Sequence, residues 1–285
     1  MTPPRTLTLF THGYPDETAE AVGRLMALAG SAGVEVRASH DEAAKHSTDA
    51  AAAMALSDTL EDSDLAVVFG GDGTILRALR TLAGRGVPVF AFNYGAIGFL
   101  STVDHDTLED GLAHVFSGGY DTLAMPALAI DIGGAVRHAV NDVSFHRRPS
   151  SRVAELAYSV GDEQLGRVRC DGLVASTPVG STGYNLANGG PVLAWGVQGY
   201  VVSFIAPHTI TARGLVVATS DVLKVTNVSE RDAPVDVTTD GRTVGQLGRG
   251  EDLEVRFLDG QVLLAQLPGT TFYRRLREKF GRLAY

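Results

Sequence analysis

The sequence predicts an α/β protein with a β-rich second half: an N-terminal doubly wound parallel-sheet domain with a glycine-rich corner, followed by a mostly β C-terminal domain. Three observations lead there. The first 116 or so residues alternate short apolar runs with helix-period segments, the rhythm that right-handed βαβ units need. One of those runs, Leu65 to Phe69, gives way directly to Gly70-Gly71-Asp72-Gly73-Thr74 and then to a new helical period. Beyond about residue 120 the pattern becomes short strands divided by Gly133-Gly134, Gly161-Asp162, Asp240-Gly241 and Asp259-Gly260, which are hairpin turn pairs when flanked by alternating apolar residues.

Taken in order, Leu7 to Thr11 reads as a strand, Asp16 to Ala29 as a helix and Val34 to Ala38 as a strand, with Glu42 to Leu60 helical or partly loop. Leu65 to Phe69 and Val87 to Phe92 are strands flanking a helix from Thr74 to Ala83, in which Ile75, Leu76, Leu79 and Leu82 recur at helical spacing. A helix around Leu108 to Phe116 closes the first half. Val235 and Val237 before Val244, and Val255 and Phe257 before Val262 and Leu264, supply the alternation for hairpins. Phe272 to Phe280 reads as a basic helix. The domains expected are residues 1–120 and 121–271, with a C-terminal helix in 272–285 packing back on the first domain.

Composition narrows the function. The chain has 285 residues, 45% hydrophobic and 20% charged, with a net charge of −9. With no basic run, that charge argues against nucleic acid as a partner, because phosphate-backbone affinity needs clustered Lys and Arg. No apolar run approaches the roughly 18 residues of a membrane helix, and Met1 to Phe10 lacks the apolar core of a signal peptide. A cytoplasmic protein without a membrane partner is expected. The single cysteine, Cys170, excludes an intrachain disulfide and a cysteine-cluster metal site, and reads as a small buried hydrophobe.

Three segments carry chemistry. Gly70 to Thr74 would aim backbone N–H groups and a positive helix end at one point, and its glycines can take positive φ and admit a phosphate close to the backbone. Asp72 is unfavourable in an anion cradle unless it accepts a proton or holds a metal. An Asx-type turn with Asp72 merely capping the helix is the alternative, and the segment alone leaves both open. Asn141-Asp142, at the head of a strand, offers an amide and an acid for a ribose diol or a base edge, or is simply the turn that starts the strand. Between Asp171 and Asn185, continuing to Pro191, small hydroxyls and glycines leave room for a flat ligand and Tyr184 offers a stacking ring; an ordinary turn loop is the alternative. His146 and Arg147 read as structural or solvent-facing.

Together these residues resemble the NAD kinases, over nearly the whole chain and in the expected order. Gly70 to Thr74 is similar to that family's GGDG motif, Asn93 to Leu100 to its glycine-rich segment, Asn141-Asp142 to its Asn-Glu pair, and Asp171 to Asn185 to its DG…STPxGSTAY signature. Pro207-His208, Asp240-Gly241 and Leu276-Arg277-Glu278-Lys279 complete the resemblance. GGDG is shared with lipid kinases and phosphofructokinases; the Ser176 to Tyr184 signature is the specific part. Asp142 stands where glutamate is usual, Gly183 where alanine is usual, and Leu215 where proline is common, which leaves the reaction type alone and opens the question of ligand preference.

The resemblance implies transfer of the γ-phosphoryl of ATP, or a phosphoryl of polyphosphate, to the 2′-hydroxyl of the adenosine ribose of NAD. It implies Asp72 as general base, with Gly70, Gly71, Gly73 and Thr74 on phosphate and Mg²⁺ carried on ATP. NAD would be bound by Asp72, Gly73, Asn141 and Asp142, with Phe99, Thr182, Gly183 and Tyr184 lining the adenine pocket and Asp171 reaching the distal nucleotide. It also implies a homodimer or homotetramer. Two rivals remain: a lipid kinase, for which the polar Ser176 to Asn188 loop is poor material, and a nucleotide sensor, which has no need of Asp72 beside phosphate.

Overall fold

The computed structural model describes residues 2–57, 59–96, 98–149, 153–230 and 233–281. Two compact units emerge, one formed by the chain up to residue 124 and again from 261, the other by residues 125–260. The first contains β1 (Thr6–Thr11), α1 (Ala19–Ala32), β2 (Glu35–Ala38), α2 (His40–Ala43), α3 (Thr48–Ala52), β3 (Ala55–Leu56), β4 (Leu65–Gly70), α4 (Asp72–Thr81), β5 (Pro88–Asn93), β6 (Val103–Asp104) and α5 (Leu108–Ser117).

Strands β5, β4, β1, β2 and β3 pair in that order, all parallel. β4 and β5 are buried along their whole lengths, which is why their sequences are apolar without alternation. Leu9, Val67, Phe69 and Phe90 of the sheet share a core with Leu25 and Ala29 of α1 and with Leu112 and Val115 of α5. α1 starts later than the Asp16 expected, because Pro15–Glu17 form a separate 3-10 turn, and runs on to Ala32, where Gly33 ends it at φ 67°. α4 begins two residues before Thr74, so Asp72 is already helical.

The second unit is built from β7 (Asp121–Ile132), β8 (Ala135–Ala139), β9 (Asp142–Arg147), β10 (Ala154–Val160), β11 (Glu163–Cys170), β12 (Gly172–Ser176), α6 (Tyr184–Ala187), β13 (Tyr200–Ile205), β14 (Leu215–Val217), β15 (Leu223–Asn227), β16 (Val235–Thr239), β17 (Arg242–Leu247) and the start of β18 (Asp252–Gln266). One antiparallel sheet runs β14-β13-β12-β9-β16-β17, and β11, β10, β15 and β18 pair in order beside it in sequence. Val143, Phe145, Leu173, Ala175, Val235 and Val237 enter its core at every second position. Gly133-Gly134, Gly161-Asp162 and Asp240-Gly241 do join hairpin partners. At the last of these both residues take positive φ, 46° and 74°, the backbone of a tight hairpin turn.

Asp259-Gly260 does not make the hairpin expected from its sequence. β18 continues through it with Gly260 at φ 62°. Leu263 and Leu264 then pair in parallel with Pro88 and Val89 of β5, and Val262, Leu264 and Ala265 are buried. Their alternation serves a parallel partner far back in the chain, which a local turn signal cannot distinguish from a hairpin. After it α7 (Phe272–Phe280) starts behind Thr271, whose hydroxyl caps the N–H of Arg274; residues 282–285 of the expected terminal helix lie outside the described residues. Among the described residues no helix is long and apolar enough to cross a membrane.

Candidate active site

In the first unit the turn after β4 and the loop after β5 meet at the carboxyl ends of the parallel strands, where open α/β sheets bind ligands. The contact is backbone on backbone. A Cβ on Gly95 would lie 2.8 Å from the Cα of Gly71, and one on Gly70 would lie 2.7 Å from the Cβ of Thr74. Neither of these glycines nor Gly73 takes positive φ, contrary to the sequence expectation. Gly70 is needed for the room it leaves the Thr74 side chain and Gly71 for the room it leaves the facing loop, while the space beside Gly73 is open.

Asp72, in the first turn of α4, is held by that loop. Its Oδ2 accepts from the Phe99 N–H at 3.0 Å and its Oδ1 from the Leu100 N–H at 2.9 Å. Each oxygen keeps a second lone pair, so the carboxylate is oriented without being used up. The loop is itself fixed: Gly98 sits at φ 65° where any Cβ would overlap the Asn93 side chain, and the Arg275 guanidinium of α7 donates to the carbonyls of Phe99, at 2.7 Å, and Ser101. Phe99 is buried, its ring edge-on to Phe272 and Phe280. What it gives the corner is its N–H. Ile97, in the same segment, lies outside the described residues.

On the other side of α4, Arg77 donates to the Thr11 carbonyl at 2.9 Å and to Glu42 at 3.0 Å. Glu42 is almost fully buried and also binds Lys45, the Thr11 N–H and the Thr11 hydroxyl. Burial pushes its carboxyl up, yet the hydrogen bonds and charges of Lys45, Thr11 and Arg77 outweigh it and hold the group below the usual range. This knot ties the corner helix to the end of β1.

The second unit gathers Asn141, Asp142, Thr182, Gly183 and Tyr184. Thr177 N–H donates to the Asn141 carbonyl at 2.9 Å and Thr177 Oγ1 to the Val140 carbonyl at 2.6 Å. A Cβ on Gly180 would overlap the Asn141 backbone, so the Ser176 to Tyr184 loop folds down onto Asn141-Asp142. Thr182 bonds within the loop, to the Val179 carbonyl. Asn141 Oδ1 is buried with no partner among the described residues. Asp142 is only 6% exposed, and burial, with repulsion from Asp240, pushes its carboxyl up to about 7 against a hydrogen bond from Ser144. Asp171 sits at the far end of the β9–β12 ladder, paired with Arg147 at 2.6 Å; that hydrogen bond holds its carboxyl below the usual range. Tyr184 feels both acids: burial first, then Asp142 and Asp171, raise its hydroxyl.

Sequence reasoning missed four contributors. Arg147 is the partner of Asp171, and the His146 ring stacks on Tyr184 at 5.6 Å and 18°. Arg275 holds the loop that holds Asp72. Asp240, which reads in sequence as a hairpin turn and as part of the family resemblance but with no role of its own, receives the N–H groups of Val140, Asn141 and Asp142 at 3.1, 2.7 and 3.2 Å. His146 and Arg147 read in sequence only as structural or solvent-facing, and each of the four meets its partner across 24 residues of chain or more, which local patterns do not span. Cys170 is buried, as expected, and its thiol is pushed up to about 12 by that burial, which keeps it inert. No three His, Cys, Asp or Glu side chains converge as metal ligands among the described residues.

The model of the ATP-NAD kinase N-terminal domain matches residues 20–120 and that of the C-terminal domain residues 140–266. The NAD kinase of Gemmatimonas aurantiaca is 35% identical over 224 residues, 76% of this chain and 77% of that protein. The NAD kinase of Magnetococcus marinus is 33% identical over 251 residues, 86% of this chain and 82% of that protein. Yeast NADH kinase, solved with NADH, superposes with a TM-score of 0.83 at 22% identity over 99% of this chain and 89% of its own, and shares the fold. An Archaeoglobus fulgidus NAD kinase solved with ATP gives 0.73 at 24% identity over 98% of both chains. With both domain models matched in order and relatives this similar over most of its length, the chain belongs to the ATP-NAD kinase family.

Proposed function

We propose that this protein phosphorylates the 2′-hydroxyl of the adenosine ribose of NAD to give NADP, with ATP or inorganic polyphosphate as donor. The observation that carries the reading is Asp72: a carboxylate in the first turn of the corner helix, aimed by the N–H groups of Phe99 and Leu100. Phosphoryl transfer has a loose transition state, so alignment and charge neutralisation dominate. Asp72 accepts the proton of the 2′-hydroxyl as its oxygen bonds the γ-phosphorus, and the bond to the bridging oxygen breaks with its electron pair leaving on ADP. The amides of the Gly70 to Gly73 turn hold phosphate at the helix N-terminus, whereas the Thr74 N–H is already bonded to the Gly71 carbonyl at 2.9 Å. Mg²⁺ carried on the triphosphate offsets its charge, and the half-buried Asp72 carboxylate is a donor compatible with it.

Asn141 and Asp142 suit the ribose hydroxyls: the orphaned Asn141 Oδ1 calls for a donor, and Asp142 for a partner that tolerates its burial. Thr182, Gly183 and Tyr184 receive adenine, with the exposed face of Tyr184 as the stacking surface, and Asp171 receives the distal nucleotide. A cytoplasmic homodimer or homotetramer completes the proposal. The test is NADP formation from NAD, ATP and Mg²⁺ by purified protein, read with an NADP-specific dehydrogenase and with Asp72→Asn alongside. NADP from the unaltered protein, reduced about 10²-fold or more in the variant, is the outcome expected of a general base. NAD binding without NADP would move the sensor reading to the front.

A further inference from the structure

β9 places Asp142, Ser144 and His146 at alternate positions, on the face opposite Val143 and Phe145, which enter the core. The three are linked. His146 Nε2 lies 2.9 Å from Ser144 Oγ, Ser144 Oγ lies 2.6 Å from Thr238 Oγ1 on β16, and the Ser144 hydroxyl also bonds the Asp142 carboxyl. The His146 ring then lies under Tyr184, nearly parallel at 18° and offset at 5.6 Å, within the range of favourable ring pairs. Tyr184 opens a helix of four residues and is 36% exposed, so part of its surface is open to a ligand.

We infer that His146 is a positioning residue for the adenine of the substrate: a fixed shelf that holds the Tyr184 ring in its stacking orientation and, through Ser144, ties that ring to the ribose-binding acid. The inference rests on the kinase reading above. Proton count makes the arrangement consistent. Ser144 has one hydroxyl proton, so while it donates to ionised Asp142 it must accept from Thr238 and from His146 Nε2–H. That demands a proton on Nε2, and since burial favours the neutral ring, the Nε2–H tautomer is the one that fits.

The experiment is steady-state kinetics on His146→Ala, His146→Leu, His146→Phe, Tyr184→Ala and the His146→Ala/Tyr184→Ala double variant, with melting curves for each. Losing the shelf removes uniform binding, so KM for NAD rises roughly 3- to 10-fold in His146→Ala and His146→Leu while kcat stays within about twofold. His146→Phe, which restores a flat face, returns KM to within about twofold of the unaltered protein. In the Tyr184→Ala background, His146→Ala adds nothing, because it acts through that ring. If His146→Ala folds poorly, His146→Leu carries the same comparison at preserved volume. An unchanged KM in the folded variants, or effects of His146→Ala and Tyr184→Ala that multiply, overturns the inference while the kinase reading stands. No NADP from the unaltered protein overturns both.

Discussion

Asp142 makes the affinity for NAD depend on pH in a window where few carboxylates titrate. Its carboxyl is pushed from 3.8 up to about 7 by burial and by Asp240. A ribose hydroxyl donates to it fully only when it is ionised. The ionised fraction is about one-eleventh at pH 6 and about ten-elevenths at pH 8, so Kd for NAD falls by about tenfold across that range, or about 1.4 kcal/mol. Burial moves His146 the other way, below its usual range. Stability moves in the opposite sense. A carboxyl whose folded-state pKa is raised gives stability that is complete below its unfolded value near 3.8 and is lost as pH climbs through about 7. The gap corresponds to at most about 4 kcal/mol at about 1.4 kcal/mol per pH unit.

Titration calorimetry of NAD at pH 6, 7 and 8, with thermal melting at the same pH values, measures both for the unaltered protein and for Asp142→Asn. The amide carries no charge, so Asp142→Asn should flatten the Kd profile and raise Tm at pH 8. A flat Kd profile in the unaltered protein, or the same step persisting in Asp142→Asn, would refute Asp142 as the ionised acceptor.

Three further outcomes follow from the same geometry. Asp72→Asn should bind NAD near normally and lose kcat by roughly 10² or more; turnover within a few-fold of the unaltered protein rules out the general base. Gly98→Ala forces a side chain into φ 65° and into Asn93, at a cost of about 1–3 kcal/mol, so denaturant melts should show a lower midpoint and kcat should drop with the displaced Asp72 loop; an unshifted midpoint contradicts the packing account. Glu42→Gln leaves the Lys45 and Arg77 charges without their buried anion and should destabilise the protein by about 3 kcal/mol. Because the Glu42 carboxyl is held below its unfolded range, the stability it supplies is present above pH 4.5 and is lost as pH falls through the folded value, so the variant's deficit should shrink in acid; a constant deficit speaks against the charge network.

Local signals in the sequence were enough for the fold class. Unbroken apolar runs in β4 and β5 mean strands buried on both faces, and a glycine corner between strand and helix follows from chain geometry a few residues wide. The site motifs were legible for the same reason: Gly70 to Thr74, Asn141-Asp142 and the Ser176 to Tyr184 loop each keep their chemistry within a short span. The reasons for some of those residues were misread. Gly70 provides room for the Thr74 side chain one turn on, and Gly71 for Gly95 of the facing loop, rather than left-handed backbone.

Tertiary structure alone decided the rest. Asp259-Gly260 reads as a hairpin until the burial of Val262 and Leu264 and the parallel pairing with β5 carry the strand on through it. Asp72 is oriented by amides 27 and 28 residues away, the Phe99 loop by Arg275 from 176 and 174 residues away, and Asn141-Asp142 by the Asp240 carboxylate about 100 residues away. Hydrogen-bond geometry and desolvation depend on distance in space, while motif spacing records distance along the chain. The sequence therefore determined which chemical groups this protein has and on what kind of element each stands, and folding decided which way Asp72 points, how strongly Asp142 holds its proton, and what lies beneath Tyr184.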